Sequence, residues 1–405
     1  MHPMVKPALR RGWRDLNTVQ FGMTPAHAMT LGPMDLATGS FLDLLNGTRG
    51  LELLREEGRR MDLPDGHVDK LVRGLARAGL LDDARGGGPS ADALRKKKEV
   101  LDRLSPDLAS LSLTTPSPGD AIGQLAARRS QRVQVRGAGR VGAVLASLLA
   151  GAGVGGVDVV DGGRVEPWDV APGGLPPDAV GDRRDESARR AVRRAAPDRP
   201  PRRAAGRASP EDGDPGFSLV ILAPRDDVAV HAPDPAAAEP LMTSGTPHLY
   251  AGVVEGTGVV GPLVLPGETG CAGCLHEDRA DRDPTWPRLV AQWRSGKQRQ
   301  VPPPCDLTLA TAVAGLAAAH ALAFLDGRAP SSAGARWECS VPDLHWRTRP
   351  VRAHPTCPCA AAKRGKGEHL SEDGESHETM AVQRPSEQCR EAEAERPAGT
   401  WRAHV

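Results

Sequence analysis

Six residues constrain this chain most: Gly137-Ala138-Gly139-Arg140-Val141-Gly142 read G-x-G-x-x-G. They follow a short β-rich run, Arg132-Val133-Gln134-Val135-Arg136, and open an apolar stretch, residues 141–150, with helical content. Such a strand-to-helix turn has specific needs. Gly137 permits the tight turn, Gly139 lets the backbone approach a phosphate, and Gly142 lets the helix lie close on the sheet. Free N–H groups and the helix dipole favour an anion there. The next strand, residues 156–160, ends at Asp161, about twenty residues on, where a carboxylate can bind ribose hydroxyls. The pattern points to a bound nucleotide without choosing between ATP and NAD. A tight β-α turn with no ligand is the plainer alternative.

Beyond the turn, strand and helix patterns alternate. Residues 218–223, 247–254 and 259–265 read as further strands, and 307–325 as a long Ala-rich helix. This alternation predicts an α/β fold, a Rossmann-like doubly wound and mainly parallel sheet. Aromatic residues are only 3% of the 405, so its core must be built from Ala, Val and Leu.

The rest of the chain divides around that sheet. Residues 1–83 suggest a small winged-helix-like α+β domain, with strand-like stretches at 18–22 and 28–31 and helical spacing over 52–60 and 67–78. Residues 84–130, opening on Gly86-Gly87-Gly88-Pro89, read as a linker with a basic helix carrying Lys96, Lys97 and Lys98. Residues 131–360 form the nucleotide-binding domain. The polar, charged stretch 361–405, with Cys389, reads as a disordered tail.

Seven cysteines, clustered late, read as metal binding or chemistry rather than as a disulfide framework. Cys271 and Cys274 form a C-x-x-C on a glycine-rich turn, and Cys357 and Cys359 a closer pair downstream. Four thiolates from two such pairs suit a tetrahedral structural Zn²⁺, with His354 as an alternative fourth ligand. Cys305, before the long helix, is a candidate acyl-accepting thiol or an inert buried one.

Together these features resemble the ThiF/MoeB/HesA adenylyltransferases, relatives of the ubiquitin-activating enzymes. The likeness runs through residues 133–142, Ala150-Gly151-Ala152-Gly153-Val154-Gly155, Val159-Val160-Asp161, Val165-Glu166 and Val180-Gly181-Asp182-Arg183-Arg184, with the cysteine pairs in the expected order. It implies that ATP, with Mg²⁺, activates a C-terminal carboxylate as an acyl adenylate. The partner implied is a small carrier or ubiquitin-like protein, or a peptide, and the chain is expected to be a homodimer. By this resemblance Arg184 stands where the family has a phosphate-binding lysine, Asp226 or Asp227 near its metal-binding acid, and Arg140 in place of a glycine, where its side chain would crowd or contact a phosphate. The family's Asn-Leu-x-Arg-Gln appears as Asp169-Val170-Ala171-Pro172-Gly173, without the arginine. A catalytically degenerate nucleotide- or peptide-binding scaffold is therefore a second reading, and a NAD-dependent oxidoreductase a third. Leu44-Leu45-Asn46-Gly47-Thr48-Arg49 resembles the PqqD-like leader-recognition domains of ribosomal-peptide maturation, so residues 1–83 would hold a leader peptide.

A net charge of +1 gives no global pull toward nucleic acid or an anionic membrane, and no run of about eighteen apolar residues stands out. The arginines of 183–207 lack interleaved aromatics and read as a solvated helix with a Pro-rich loop. The first residues have no secretory pattern, so a cytoplasmic protein is expected.

Overall fold

The computed structural model describes residues 1–198, 216–295, 302–359 and 361, so the expectations for Cys389 and the tail lie outside the described residues. The chain divides into two compact units, one of residues 1–127 and one beginning at Arg128.

In the first unit, strands β1 (Pro3–Val5), β2 (Arg11–Trp13), β3 (Val19–Phe21) and β4 (Met29–Leu31) precede helices α1 (Leu36–Phe41), α2 (Leu51–Arg60) and α3 (His67–Arg77), and β5 (Leu81–Asp83) follows. β2, β3 and β4 form one antiparallel sheet, and β1 pairs with β5. Val19 and Phe21, two apart, point inward and meet Phe41, Leu54, Val68, Leu71, Val72 and Leu75. Those helical positions recur every three or four residues, which is why the helices form against the strands. Lys6 is almost fully buried, its Nζ donating to the Thr115 carbonyl at 2.8 Å. Burial lowers its pKa from the ordinary lysine value, opposed by Asp82.

The stretch expected to be a linker is instead four helices: α4 (Gly88–Arg95), α5 (Lys98–Arg103), α6 (Ser105–Thr114) and α7 (Asp120–Arg128). Ala91, Leu94, Val100, Leu104, Leu111, Ile122 and Leu125 share a buried core. Each apolar face is short and interrupted by Gly or Pro, which hides the period in the sequence. Lys96 and Lys97 are not on one basic helix but cap the junction of α4 and α5.

The second unit is built on seven strands. They are β6 (Arg132–Arg136), β7 (Gly156–Val160), β8 (Leu219–Leu222), β9 (His248–Val254), β10 (Thr257–Val264), β11 (Ala335–Ser340) and β12 (Arg347–Pro350), ordered β12-β11-β10-β9-β8-β6-β7. β7, β6, β8 and β9 are parallel, and β10, β11 and β12 add an antiparallel wing. Helices α8 (Arg140–Gly151), α9 (Arg184–Ala195), α10 (Asp227–His231), α11 (Pro235–Thr243), α12 (Ala272–Arg282), α13 (Trp286–Ser295) and α14 (Leu307–Leu325) complete it. Alternation in β9 separates the two faces of the sheet. Leu249, Ala251 and Val253 enter the main core with α8 and α14, while Tyr250 joins a cluster with Cys271, Cys274 and Cys357. This is the expected α/β architecture.

α14 corrects one expectation, because its 19 residues are long and apolar enough to cross a membrane by length and composition. Thr, Gly and His residues interrupt the apolar run in the sequence. Leu309, Ala310, Val313, Ala314, Ala317 and Ala321 are buried along one side and belong to the main core, as in the core helix of a globular domain. The bidentate pair of Arg128 with Asp326, 2.7 Å at both bonds and shut from solvent, fixes its carboxyl end.

His231, at the end of α10, is packed edge-on against Trp286 and Trp293, and its carbonyl accepts from Arg279 and Arg336. Burial first, then the two arginines, lower its pKa to about 4. The unfolded chain therefore binds the proton first as pH falls. His231 costs nothing above about pH 6.5, and stability drops as pH falls from there toward 4. Discounted for partial exposure, the loss is about 1–2 kcal/mol. His231→Phe should flatten that part of the profile in urea unfolding at pH 7 and 4.5. An unchanged slope would place the titration elsewhere.

Candidate functional site

The glycine turn lies where β6 passes into α8. Gly137 has φ +106°, and a Cβ there would stand 2.0 Å from the Ala223 carbonyl oxygen at the end of β8. A Cβ on Gly142 would stand 2.0 Å from the Gly137 oxygen. Any side chain at either position would push the turn out of the crevice between β6 and β8. The chain leaves β6 toward β7 on one side and later returns to β8 on the other, so the turn marks the reversal of strand order. Ligands of open α/β sheets bind outside the carboxyl ends of the strands at such a point. Gly139, the N-cap of α8, offers no side-chain cap, so the helix start is left for an anion.

Asp161 is placed beside the turn, but its carboxylate is already engaged. It accepts from Ala138 N at 2.8 Å, Gly163 N at 3.0 Å and Arg184 Nη1 at 2.6 Å. Of about four lone-pair positions on a carboxylate, three are taken. In this structure Asp161 fastens the glycine turn, a different task from the ribose contact expected of it.

Arg184 also departs from expectation. Its side chain is 7% exposed, with Nη1 on Asp161, Nε on Asp169 at 3.1 Å, Nη2 on the Arg164 carbonyl, and Glu166 at 3.9 Å. Rather than reaching out toward a triphosphate, it is the hub of a buried ion network. Spacing along the chain places Arg184 near the turn but does not reveal that three acids converge on it.

Glu166 and Asp169, and a second arginine, are what sequence reasoning missed as site residues. Glu166 and Asp169 close a capping box around the short 3-10 turn Pro167–Asp169, a spacing visible in the sequence. Arg225, just after β8, bonds Asp169 through Nε at 2.8 Å and Glu166 through Nη2.

Asp226, the candidate metal acid, is the exposed N-cap of α10, accepting from Val228 N at 2.9 Å. Its oxygen satisfies a helix end, and it joins no cluster of three or more ligand atoms among the described residues. Arg140 donates to the Cys305 carbonyl at 2.8 Å, so it braces the segment before α14. Burial raises the Cys305 thiol above its ordinary value, against Arg140, which lowers it. That is the opposite of an activated nucleophile.

A cavity of about 390 Å³ lies elsewhere, at the amino ends of β6 and β7, among Arg129, Arg132, Asp158, Arg189 and Phe217. It is at the wrong end of the strands for the turn to serve it.

On the other face of the sheet the four expected cysteines meet. Their sulfurs lie within 4.8 Å of one another, with Cys271 3.8 Å from Cys274 and 3.6 Å from Cys357, and Cys274 3.4 Å from Cys359. Four thiolates held 2.3 Å from a tetrahedral zinc stand about 3.8 Å apart. The donor set therefore fits such an ion. Cys271 caps α12 and Cys274 lies in its first turn, where the helix dipole favours anionic sulfur. The hydrogen bond from Cys271 holds the Cys274 thiol low, and the same bond, then burial, pushes Cys271 high. A Cβ on Gly273 would stand 2.9 Å from Cys357 Sγ, which explains the glycine within the C-x-x-C. His354 is not a ligand: its ring nitrogens meet Thr356 Oγ1 and Asp281 Oδ2, both at 2.9 Å.

The ThiF family matches residues 115–359, more than half of the chain. The chain belongs to the ThiF family. No curated protein matches it by sequence. Among solved structures, this ThiF-family chain is similar to E. coli MccB with ATP, at 15% identity and a TM-score of 0.61 over 89% of this chain and 99% of that one. MccB with AMPCPP and MccA gives 14% identity and 0.61, over 89% and 100%. PaaA gives 17% and 0.57, over 86% and 100%. At these identities the likeness is one of fold.

Proposed function

We propose that this chain is an ATP-dependent adenylyltransferase that activates the C-terminal carboxylate of a peptide, small carrier or ubiquitin-like protein as an acyl adenylate, with release of pyrophosphate. The observation carrying this reading is the glycine turn at the strand-order reversal, with an uncapped helix start facing the crevice. Family membership supports ATP as the nucleotide, as do the structures of similar fold with ATP and with the MccA peptide. Among the candidate acceptors we favour a peptide. β2, whose three residues are all exposed, offers a strand edge in the first unit on which an extended segment can pair. In this reading Mg²⁺ enters with the triphosphate, Zn²⁺ sits among the four sulfurs, and the protein acts in the cytoplasm as a homodimer.

Purified protein should bind ATP in preference to NAD and should exchange labelled pyrophosphate into ATP when the right carboxylate partner is present. Binding of NAD alone would point to the oxidoreductase. Binding of ATP without exchange for any peptide or carrier ending in a free carboxylate would favour the second reading, a scaffold that has lost the chemistry. Arg184 locked among acids and Asp226 spent on a helix cap are the observations on that side.

A further inference from the structure

We infer that Arg225 is the cation that grips the nucleotide phosphates in this chain, and that it does so by leaving Glu166 and Asp169. The inference rests on the nucleotide-binding reading above.

Two arginines pair with the acids beside the glycine turn, and they differ in freedom. Moving Arg184 would strand Asp161, 8% exposed, and take from Asp169, 3% exposed, one of its two cations. Uncompensated buried charge of that kind is strongly unfavourable. Arg225 is freer, at 26% exposure. Of its two partners, Asp169 keeps Arg184 when Arg225 departs, and Glu166, 41% exposed, returns to water at little cost.

Arg225 also lies where a phosphate must come. A Cβ built on Gly139 would stand 2.8 Å from Arg225 Cγ and 3.3 Å from Cδ, so the arginine stem covers the face of that glycine. That face is the one through which the backbone approaches a phosphate. Phosphate and stem cannot both occupy it, and the arriving group is itself a bidentate acceptor for guanidinium. The resting pairs are thus a competing state that lowers the apparent affinity for nucleotide.

The test is calorimetric titration of the full chain with Mg-ATP and, separately, with adenosine, which has no phosphate for Arg225 to meet. Arg225→Ala should weaken ATP by about tenfold or more while leaving adenosine unchanged or tighter. Glu166→Gln, which removes a resting partner and keeps Arg225, should tighten ATP by about two- to fivefold. An arginine of merely structural role would loosen both ligands together, and Glu166→Gln would then not tighten ATP; either result overturns the inference. If the alanine variant fails to fold, the Glu166→Gln titration decides alone, since that substitution is near-isosteric and half-exposed. If wild-type protein binds ATP and Arg225→Ala binds it equally, the inference falls and the nucleotide reading stands. If wild-type protein binds neither ATP nor adenosine, the nucleotide reading falls and carries this one with it.

Discussion

Replacing Arg184 with alanine is expected to lower the stability of the second unit by about 3–5 kcal/mol, or roughly 10 °C or more in melting temperature. The reason is the company it keeps. Asp161 and Asp169 are nearly closed to water, and both point oxygens at this guanidinium. Truncation leaves them buried and facing each other's charge across a hole. Arg225 still reaches Asp169, but nothing replaces the Arg184 bond to Asp161, which in turn holds Ala138 N and so the glycine turn. Lysine in its place should recover only part of the loss, because one ammonium cannot span acids that a planar fork reaches from Nε and Nη1. Arg184→Ala combined with Asp161→Asn should be milder than Arg184→Ala alone, since the double variant removes the charge left without a cation. Urea unfolding of the three variants measures all of this. The assignment is wrong if alanine changes stability by less than about 0.5 kcal/mol while abolishing ATP binding. Arg184 would then be the phosphate ligand that the family resemblance implies.

The contrast between Arg184 and Arg225 shows what could be read from the sequence and what could not. β6, the glycine turn, α8 and β7 were legible because their signals are local: a β-rich run, a fixed glycine spacing, and an apolar helix. The four sulfurs were legible for the same reason, since C-x-x-C and C-x-C fix two short segments and tetrahedral chemistry suggests their meeting. Ion pairing carries no such local signal. Asp161, Glu166, Asp169, Arg184 and Arg225 come from separate loops and helix starts, and only the fold shows that they converge. β11 and β12 carry no local signal either, because charged residues interrupt their apolar pattern. Arg336 is 3% exposed yet paired with Glu338 at 2.9 Å, so a buried strand position carries a guanidinium. Residues 84–130 failed differently: the apolar positions were present, but each helix is too short to show a period before a Gly or Pro interrupts it.

Removing the metal, or one of its ligands, should cost this protein more than any other single change. The purified chain is expected to carry one zinc ion, and Cys274→Ser or strong chelation should release it and lower the melting temperature of the second unit by more than about 10 °C. Cys274 is fully buried, and the sulfurs it meets come from the start of α12 and from a turn 85 residues later. The hydrophobic cluster at this joint is small, since Tyr250, Val264, Ala272 and the cysteines themselves make up most of it. In isolated zinc fingers the ion contributes about 10–16 kcal/mol, because nothing else holds the fold. Here the seven-stranded sheet stands without it, so only the attachment of the cysteine segments depends on the ion, and several kcal/mol is the expected scale. Cys305→Ser, at a cysteine outside the sulfur cluster, should leave zinc content unchanged. Elemental analysis together with a melt in the presence and absence of chelator decides the matter. Protein that is folded, metal-free and indifferent to chelator would mean that the four thiols hold this corner by packing alone.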